Sequence, residues 1–125
     1  MKNFTVTPWE VRGSVDYDEL VKEFGTQRID EALEKKLEKA AGGRHFMLQR
    51  KIFFSHRDLA PFVGEFEKGN KVALYTGRGP SGNTHIGHLL PWVFTKWLQD
   101  AFGCELYFQM TDDEKYLCKD ELTRE

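Results

Sequence analysis

Groups that can bind an anion gather in one stretch of the chain. A glycine-rich turn contains Arg78, and two histidines three residues apart, His85 and His88, follow it. Arginine, backbone N–H groups and the positive end of a helix placed beside one another suit a phosphate. This stretch therefore predicts a phosphate site.

The apolar pattern around this turn predicts the elements that position it. Val72–Thr76 is typical of a parallel strand buried on both faces, and a helix opening at Thr84 leads to a second strand over Leu106–Met110. Such a strand–helix–strand unit is right-handed and binds ligands at the carboxyl ends of its strands. Positions i and i+3 of a helix share a face, so we expect His85 and His88 to point the same way.

The helix after the turn has a wide apolar face and is predicted to end at Gly103. Pro91 removes one of its hydrogen bonds and crowds the carbonyl of Gly87, which predicts a bend. Three aromatic residues on this helix are assigned to the core or to a dimer surface: Trp92, Phe94 and Trp97.

The residues of the turn resemble a family signature. His85-Ile-Gly-His88, preceded by Pro80-Ser-Gly82, resembles the His-x-Gly-His motif of class I aminoacyl-tRNA synthetases. Four further segments resemble tryptophanyl-tRNA synthetases of the archaeal and eukaryotic type: Thr7–Val11, Ile52–Asp58, Tyr75–Ser81 and Gln109–Lys115. The resemblance covers nearly all of the chain, but about the first third of such an enzyme.

The fold class predicted from these features is α/β. Residues 71–125 are expected to form the first half of a Rossmann-type parallel sheet carrying the His-x-Gly-His helix. Residues 1–70 are expected to be a mainly helical segment with a possible β-hairpin, or a terminal strand with Trp9 as a plug, over Phe4–Val15. The second synthetase signature, a lysine-rich loop, and an anticodon-binding domain are absent from the sequence, so the chain is interpreted as a fragment or as one piece of a split enzyme.

The resemblance implies roles at the amino-acid end of the site. Tyr75 and Gln109 would hold the indole N–H of tryptophan, since a hydroxyl and an amide oxygen are matched acceptors for that donor. Glu114 would pair with the substrate ammonium, and Lys115 would face a carboxylate or a phosphate. Thr111–Glu114 is also a capping-box pattern, which is a competing interpretation of Glu114.

At the nucleotide end, the resemblance implies attack of the tryptophan carboxylate on the α-phosphorus of ATP, which enters with Mg²⁺ as a co-substrate. Arg78, His85 and His88 are the predicted catalytic donors to the charged transition state. The predicted nucleotide contacts are Arg78, Gly79, Ser81, His85, Gly87 and His88. Gly87 is included because adenine could lie against backbone that carries no side chain.

Two features of this region stand beside the resemblance. A His-x-x-His pair can be half of a metal site, but no third ligand stands at a suitable spacing, so no metal is predicted. The loop from Pro80 to His85 is one residue shorter than in many tryptophan enzymes of this type.

The segment Arg44–Arg57 is locally basic and interleaved with phenylalanines. It is interpreted either as a contact for the acceptor end of tRNA or as core aromatics with charges at their rim. Within it, Ser55–Asp58 is a capping-box pattern that predicts the start of a helix. A net charge of −2 gives no general attraction to nucleic acid.

Composition predicts a cytoplasmic protein that does not enter a membrane. The chain is 40% hydrophobic and 30% charged, with no long uncharged apolar run. Cys104 and Cys118 lack Cys-x-x-Cys spacing and are expected to be free thiols. Relatives imply a homodimer and a partner that supplies the missing C-terminal half.

Three functions follow from the sequence. The first is the ATP- and tryptophan-binding half of a tryptophan–tRNA ligase. The second is a catalytically silent fragment that binds tryptophan or nucleotide, or serves as an assembly module. The third, another small His-x-Gly-His nucleotidyltransferase, is disfavoured because such proteins carry their motif near the chain start.

Overall fold

The computed structural model describes residues 4–6, 11–13, 16–79, 82–113 and 117. Across these ranges, strands and helices are mixed along the chain. No helix within them is long and apolar enough to cross a membrane.

The first described element is a β-hairpin. Strand β1 (Phe4–Val6) pairs antiparallel with β2 (Val11–Gly13), and Phe4 lies opposite Gly13. The predicted hairpin is therefore confirmed, while Trp9 lies outside the described residues.

Two capped helices follow, as the apolar spacing predicts. Helix α1 (Tyr17–Glu23) begins at Asp16, whose carboxylate accepts hydrogen bonds from the next N–H groups of the chain. Helix α2 (Glu31–Ala41) begins at Asp30 in the same way and ends at Gly42, with a φ of 69°. Glycine is favoured there because that left-handed conformation strains residues with a Cβ.

Two short strands and one short helix give no periodic signal in the sequence. Strand β3 (Gln27–Arg28) pairs antiparallel with β4 (Ser55–His56), and helix α3 (Phe46–Gln49) lies between them in the chain. Helix α4 (Leu59–Glu67) begins only after β4.

The predicted capping box at Ser55 is wrong, because the backbone of Ser55 is used in the pairing with Arg28. The N–H of Leu59 instead donates to Nδ1 of His56 at 3.2 Å. The imidazole of His56 thus accepts the first N–H group of α4, which begins later in the chain than the capping box at Ser55 predicts.

The predicted strand–helix–strand unit is confirmed. Strand β5 (Ala73–Arg78) runs parallel to β6 (Glu105–Met110), and helix α5 (Ile86–Phe102) connects them. Helix α5 starts two residues later than Thr84 and is continuous across Pro91, so the bend stays a prediction.

The expectation that β5 is buried on both faces is wrong for this chain. Leu74 packs against the core, whereas Tyr75, on the other face of the strand, is 68% exposed. The side chains of a strand alternate between its two faces, so the face of Tyr75 is the open one.

One core joins the helices on both sides of residue 70. Its buried members come from α2, α3, α4 and α5 and are Leu37, Leu48, Val63, Leu98 and Phe102. Phe62 and Phe66 of α4 meet the ring of Phe102 edge-on, at 5.0 and 4.5 Å between centroids. Burial of these aromatic rings anchors the carboxyl end of α5, and so the helix that carries the histidines.

Candidate functional site

Tyr75 and Gln109 meet across the parallel pair. The hydroxyl of Tyr75 donates to Oε1 of Gln109. The register places Tyr107 opposite Tyr75 and Gln109 opposite Gly77, so the contact is a diagonal one on the open face of the sheet. The structure thus brings together the two side chains predicted to hold an indole.

His85 and His88 also lie together, with ring centroids 3.9 Å apart. His85 is the cap residue of α5: its Nδ1 accepts from the N–H of Gly87, and Nδ1 of His88 accepts from the N–H of His85, each at 3.2 Å. A neutral ring that accepts at Nδ1 carries its proton on Nε2. Both rings therefore have an N–H donor at the end away from the helix.

The backbone of Gly87 is covered by one of these rings. A Cβ at this position would come 3.0 Å from Cε1 and 3.1 Å from Nδ1 of His85. The glycine therefore makes room first for the capping imidazole, and stacking of adenine against it stays a prediction.

Arg78 is held by the turn that follows it. Its Nη1 donates to the hydroxyl of Thr84 and its Nη2 to the carbonyl of Gly82, while Nε is buried without a partner within the described ranges. Sequence reasoning identified Arg78 but neither of the groups that hold it. Gly79 lies beside Arg78 at the end of β5, and Ser81, Glu114 and Lys115 lie outside the described residues.

An aromatic row connects the histidines to β6. Trp92 lies 6.2 Å from the ring of His88 and meets Phe108 edge-on at 5.3 Å. Phe108 and Gln109 are neighbours in a strand and so point to opposite faces. The histidines therefore lie on the α5 side of the sheet and the Tyr75–Gln109 pair on the open side, so the predicted nucleotide and indole sites would adjoin at the carboxyl ends of the strands.

Tyr107 is a further aromatic residue on the open face. Its hydroxyl donates to Oε2 of Glu105 at 2.6 Å, and this carboxylate raises the pKa of Tyr107. The alternation of Glu105, Tyr107 and Gln109 along β6 was the signal that could have identified it.

The basic segment Arg44–Arg57 is largely engaged within the protein. Phe53 stacks on Phe94 at 4.5 Å, and the buried ring of His45 contacts Phe94 and Trp97. Burial lowers the pKa of His45. These contacts favour the interpretation of Phe53 as a core residue, whereas Phe46 is 47% exposed.

Two cations of this segment, Arg44 and Lys51, pair with carboxylates. Arg44 lies 2.9 Å from Oε1 of Glu34, and Lys51 contacts Oε2 of the same side chain. Glu34 is buried, with 4% of its surface exposed, and hydrogen bonds from Lys51 and then Arg44 lower its pKa. A buried carboxylate thus ties the start of α2 to the residues on both sides of α3.

Glu34→Gln is expected to destabilise the chain by about 1–2 kcal/mol at pH 7, a modest figure because both cations are half exposed. A lowered pKa means that the stabilisation is complete above the ordinary glutamate pKa, and that it is lost as pH falls through the lowered value. Urea unfolding of wild type and variant should therefore converge in acid. Glu31→Gln, which removes a pair whose side chains are 88% and 76% exposed, is the matched control and should change little. A constant gap between wild type and Glu34→Gln at every pH would contradict this account.

Comparison with known proteins adds to this geometry. No protein-family model matches the chain. A tryptophan–tRNA ligase of Saccharolobus solfataricus is 55% identical over 120 residues, which are 96% of this chain and 32% of that protein. The chain is homologous to the N-terminal part of tryptophan–tRNA ligases. The predicted resemblance to these ligases is therefore confirmed for the part of them that the chain matches, and these relatives are aminoacyl-tRNA synthetases.

Solved structures of the same family share the fold. The tryptophanyl-tRNA synthetase of Trypanosoma brucei is 50% identical with a TM-score of 0.76, covering 86% of this chain and 33% of its own. That of Encephalitozoon cuniculi, solved bound to tryptophan, is 42% identical with a TM-score of 0.79, covering 86% and 32%. The chain thus spans about a third of the length of these relatives and has their Rossmann-type fold.

Proposed function

We propose that this chain supplies the tryptophan-binding surface and part of the ATP-binding surface of a tryptophan–tRNA ligase. The observation that carries the proposal is the hydrogen bond between Tyr75 and Gln109 on adjacent parallel strands. The Encephalitozoon cuniculi relative, bound to tryptophan, supports the same assignment.

The Tyr75–Gln109 pair accounts for recognition of an indole. Because the hydroxyl of Tyr75 donates to Gln109, its oxygen lone pairs are turned outward as acceptors for an N–H group. A ligand without that N–H would leave a polar group of the site unpaired, which costs affinity. Glu114 as the partner of the substrate ammonium and Lys115 as a partner of its carboxylate or of a phosphate complete this end of the proposal.

The nucleotide end activates the amino acid. A carboxylate oxygen of tryptophan attacks the α-phosphorus of ATP, the bond to pyrophosphate breaks, and tryptophanyl-adenylate forms. The Nε2–H groups of His85 and His88 and the guanidinium of Arg78 donate to phosphate oxygens, where negative charge grows. Gly79, Ser81 and Gly87 are the further proposed contacts of the nucleotide, and the Mg²⁺ that accompanies ATP would neutralise further charge. A terminal hydroxyl of tRNA then attacks the carbonyl carbon of tryptophanyl-adenylate, the bond from that carbon to the phosphate oxygen breaks, and AMP leaves.

The same proposal extends to the organisation of the whole enzyme. Residues 71–125 act as the N-terminal half of the nucleotide-binding domain, and residues 1–70 as the hairpin and helical segment before it. The other half of the domain supplies further donors to the departing pyrophosphate. The complete enzyme is a cytoplasmic homodimer that binds the acceptor end of tRNA.

Gln109→Ala is expected to weaken tryptophan binding about tenfold or more while sparing the binding of ATP, since it removes one of two indole acceptors. Isothermal titration calorimetry with each ligand measures both effects. Gln49→Ala, an exposed glutamine of α3, is the matched control.

A second ligand makes the same test sharper. Tryptophan methylated on the indole nitrogen should bind wild type about tenfold more weakly than tryptophan, and Gln109→Ala should largely lose this preference. If wild type binds neither tryptophan nor ATP, the proposal is refuted. Pyrophosphate exchange that depends on tryptophan is assayed with this chain alone and with the C-terminal portion of a homologous ligase added. If the chain binds its ligands but shows no exchange in either assay, it is the silent fragment of the alternative hypothesis.

A further inference from the structure

The guanidinium of Arg78 is fixed at both outer nitrogens. Nη1 donates to the hydroxyl of Thr84, and Nη2 donates to the carbonyl of Gly82. Each of these nitrogens carries two hydrogens, so one on each remains for a ligand. Because the guanidinium is planar and rigid, fixing two nitrogens also fixes the directions of the remaining N–H groups.

The hydroxyl of Thr84 is available for this contact because of the way α5 begins. The sequence predicts a helix opening at Thr84, but His85 is the cap residue and accepts the N–H of Gly87. Thr84 thus holds Arg78 through its hydroxyl and is joined to His85, the cap residue of α5, by the peptide bond.

We propose that Thr84 is a positioning residue, which holds Arg78 so that the remaining N–H groups of its guanidinium face the same anion as the rings of His85 and His88. The anion is the polyphosphate of ATP or the pyrophosphate that leaves it, so the inference rests on the proposed function. The Nε of Arg78, which is buried without a hydrogen-bond partner among the described residues, supports it, since a guanidinium kept partly desolvated binds a phosphate more strongly than one in water.

The test is calorimetric titration of Mg-ATP and of inorganic pyrophosphate into three proteins. Thr84→Val keeps the shape of the side chain but removes the acceptor, and it should weaken both ligands about tenfold, the effect of one hydrogen bond to a charged group. Thr84→Ser restores the hydroxyl and should bind within about twofold of wild type. Tryptophan affinity should be the same in all three.

Thr95→Val is the matched control, because the hydroxyl of Thr95 also bonds a neighbouring group, the carbonyl of Pro91, but lies on α5 away from Arg78. A double-mutant cycle separates positioning from stability. In an Arg78→Ala background, Thr84→Val should cost no further pyrophosphate affinity, because the group that it positions is gone.

The outcomes are distinct. If Thr84→Val binds pyrophosphate at least as tightly as wild type, the inference is overturned and the proposed function is unaffected. An equal loss in Thr84→Val with and without Arg78 also overturns it. Wild type that binds tryptophan but neither phosphate ligand refutes the nucleotide half of the proposed function, and the inference with it.

Discussion

Gly77→Ala is expected to destabilise the chain by about 3 kcal/mol, because there is no room for a methyl group between β5 and β6. An ideal Cβ at this position would lie 2.4 Å from the carbonyl oxygen of Gln109 and 3.3 Å from its carbonyl carbon. These are backbone atoms of the partner strand and cannot move aside as a flexible side chain would. The two strands must shift, and the diagonal contact of Tyr75 with Gln109 is lost with their register.

Urea unfolding measures this effect, and Gly64→Ala is its control. Gly64 lies inside α4, and nothing stands within 4 Å of an added Cβ. Alanine there should stabilise the chain by about 0.5–1 kcal/mol, as expected for an unhindered helical glycine. If Gly77→Ala lowers the free energy of unfolding while Gly64→Ala raises it, the loss in Gly77→Ala comes from the pairing of β5 with β6. A Gly77→Ala variant as stable as wild type would mean that the strands separate there without cost.

The elements that position the site were predictable from the sequence. Helices α2, α4 and α5 have apolar residues at helical spacing, and strands β5 and β6 flank α5 as in a right-handed crossover. Each of these signals spans several residues and is therefore robust. The diagonal meeting of Tyr75 and Gln109 follows from the same regular geometry, whereas His85 and His88 meet through the reciprocal hydrogen bonds that cap α5.

The parts that were missed depend on contacts between distant residues. The pairing of Gln27–Arg28 with Ser55–His56 involves two residues on each side, which is too few for a period to appear in the sequence. The open face of β5 was missed for a similar reason. A run of apolar residues indicates a buried strand but does not tell which neighbour covers each face, and α5 covers the face of Leu74.

Within the site, the hydrogen bonds of side chains were the least predictable feature. The interaction of Arg78 with Thr84, and that of Tyr107 with Glu105, depends on rotamers and on the path of the turn. The residue types alone indicated what Arg78 could bind, but not what holds it in the absence of a ligand.

Substituting either histidine is expected to reduce tryptophan-dependent pyrophosphate exchange about 100- to 1,000-fold, the usual cost of removing one donor to a charged transition state. This assay is made with the C-terminal portion of a homologous ligase added. Tryptophan affinity should stay within about twofold of wild type, because the indole acceptors belong to β5 and β6. Alanine is a poor choice for the test, since His85 and His88 also cap α5 and loss of a cap costs about 1 kcal/mol.

His85→Asn and His88→Gln separate the two roles. The amide oxygen of asparagine can accept the N–H of Gly87, and glutamine at the third position of a helix can accept the N–H of the cap residue, so both variants keep the helix start. Neither variant keeps an imidazole Nε2–H at the phosphate. His56→Asn, which replaces the ring that caps α4, is the matched control and should leave exchange unchanged. If His85→Asn and His88→Gln are as stable as wild type and equally active, the histidines serve the helix alone and phosphate binding rests on Arg78. If exchange falls while thermal stability and tryptophan affinity hold, the donors at Nε2 act on the reacting phosphate.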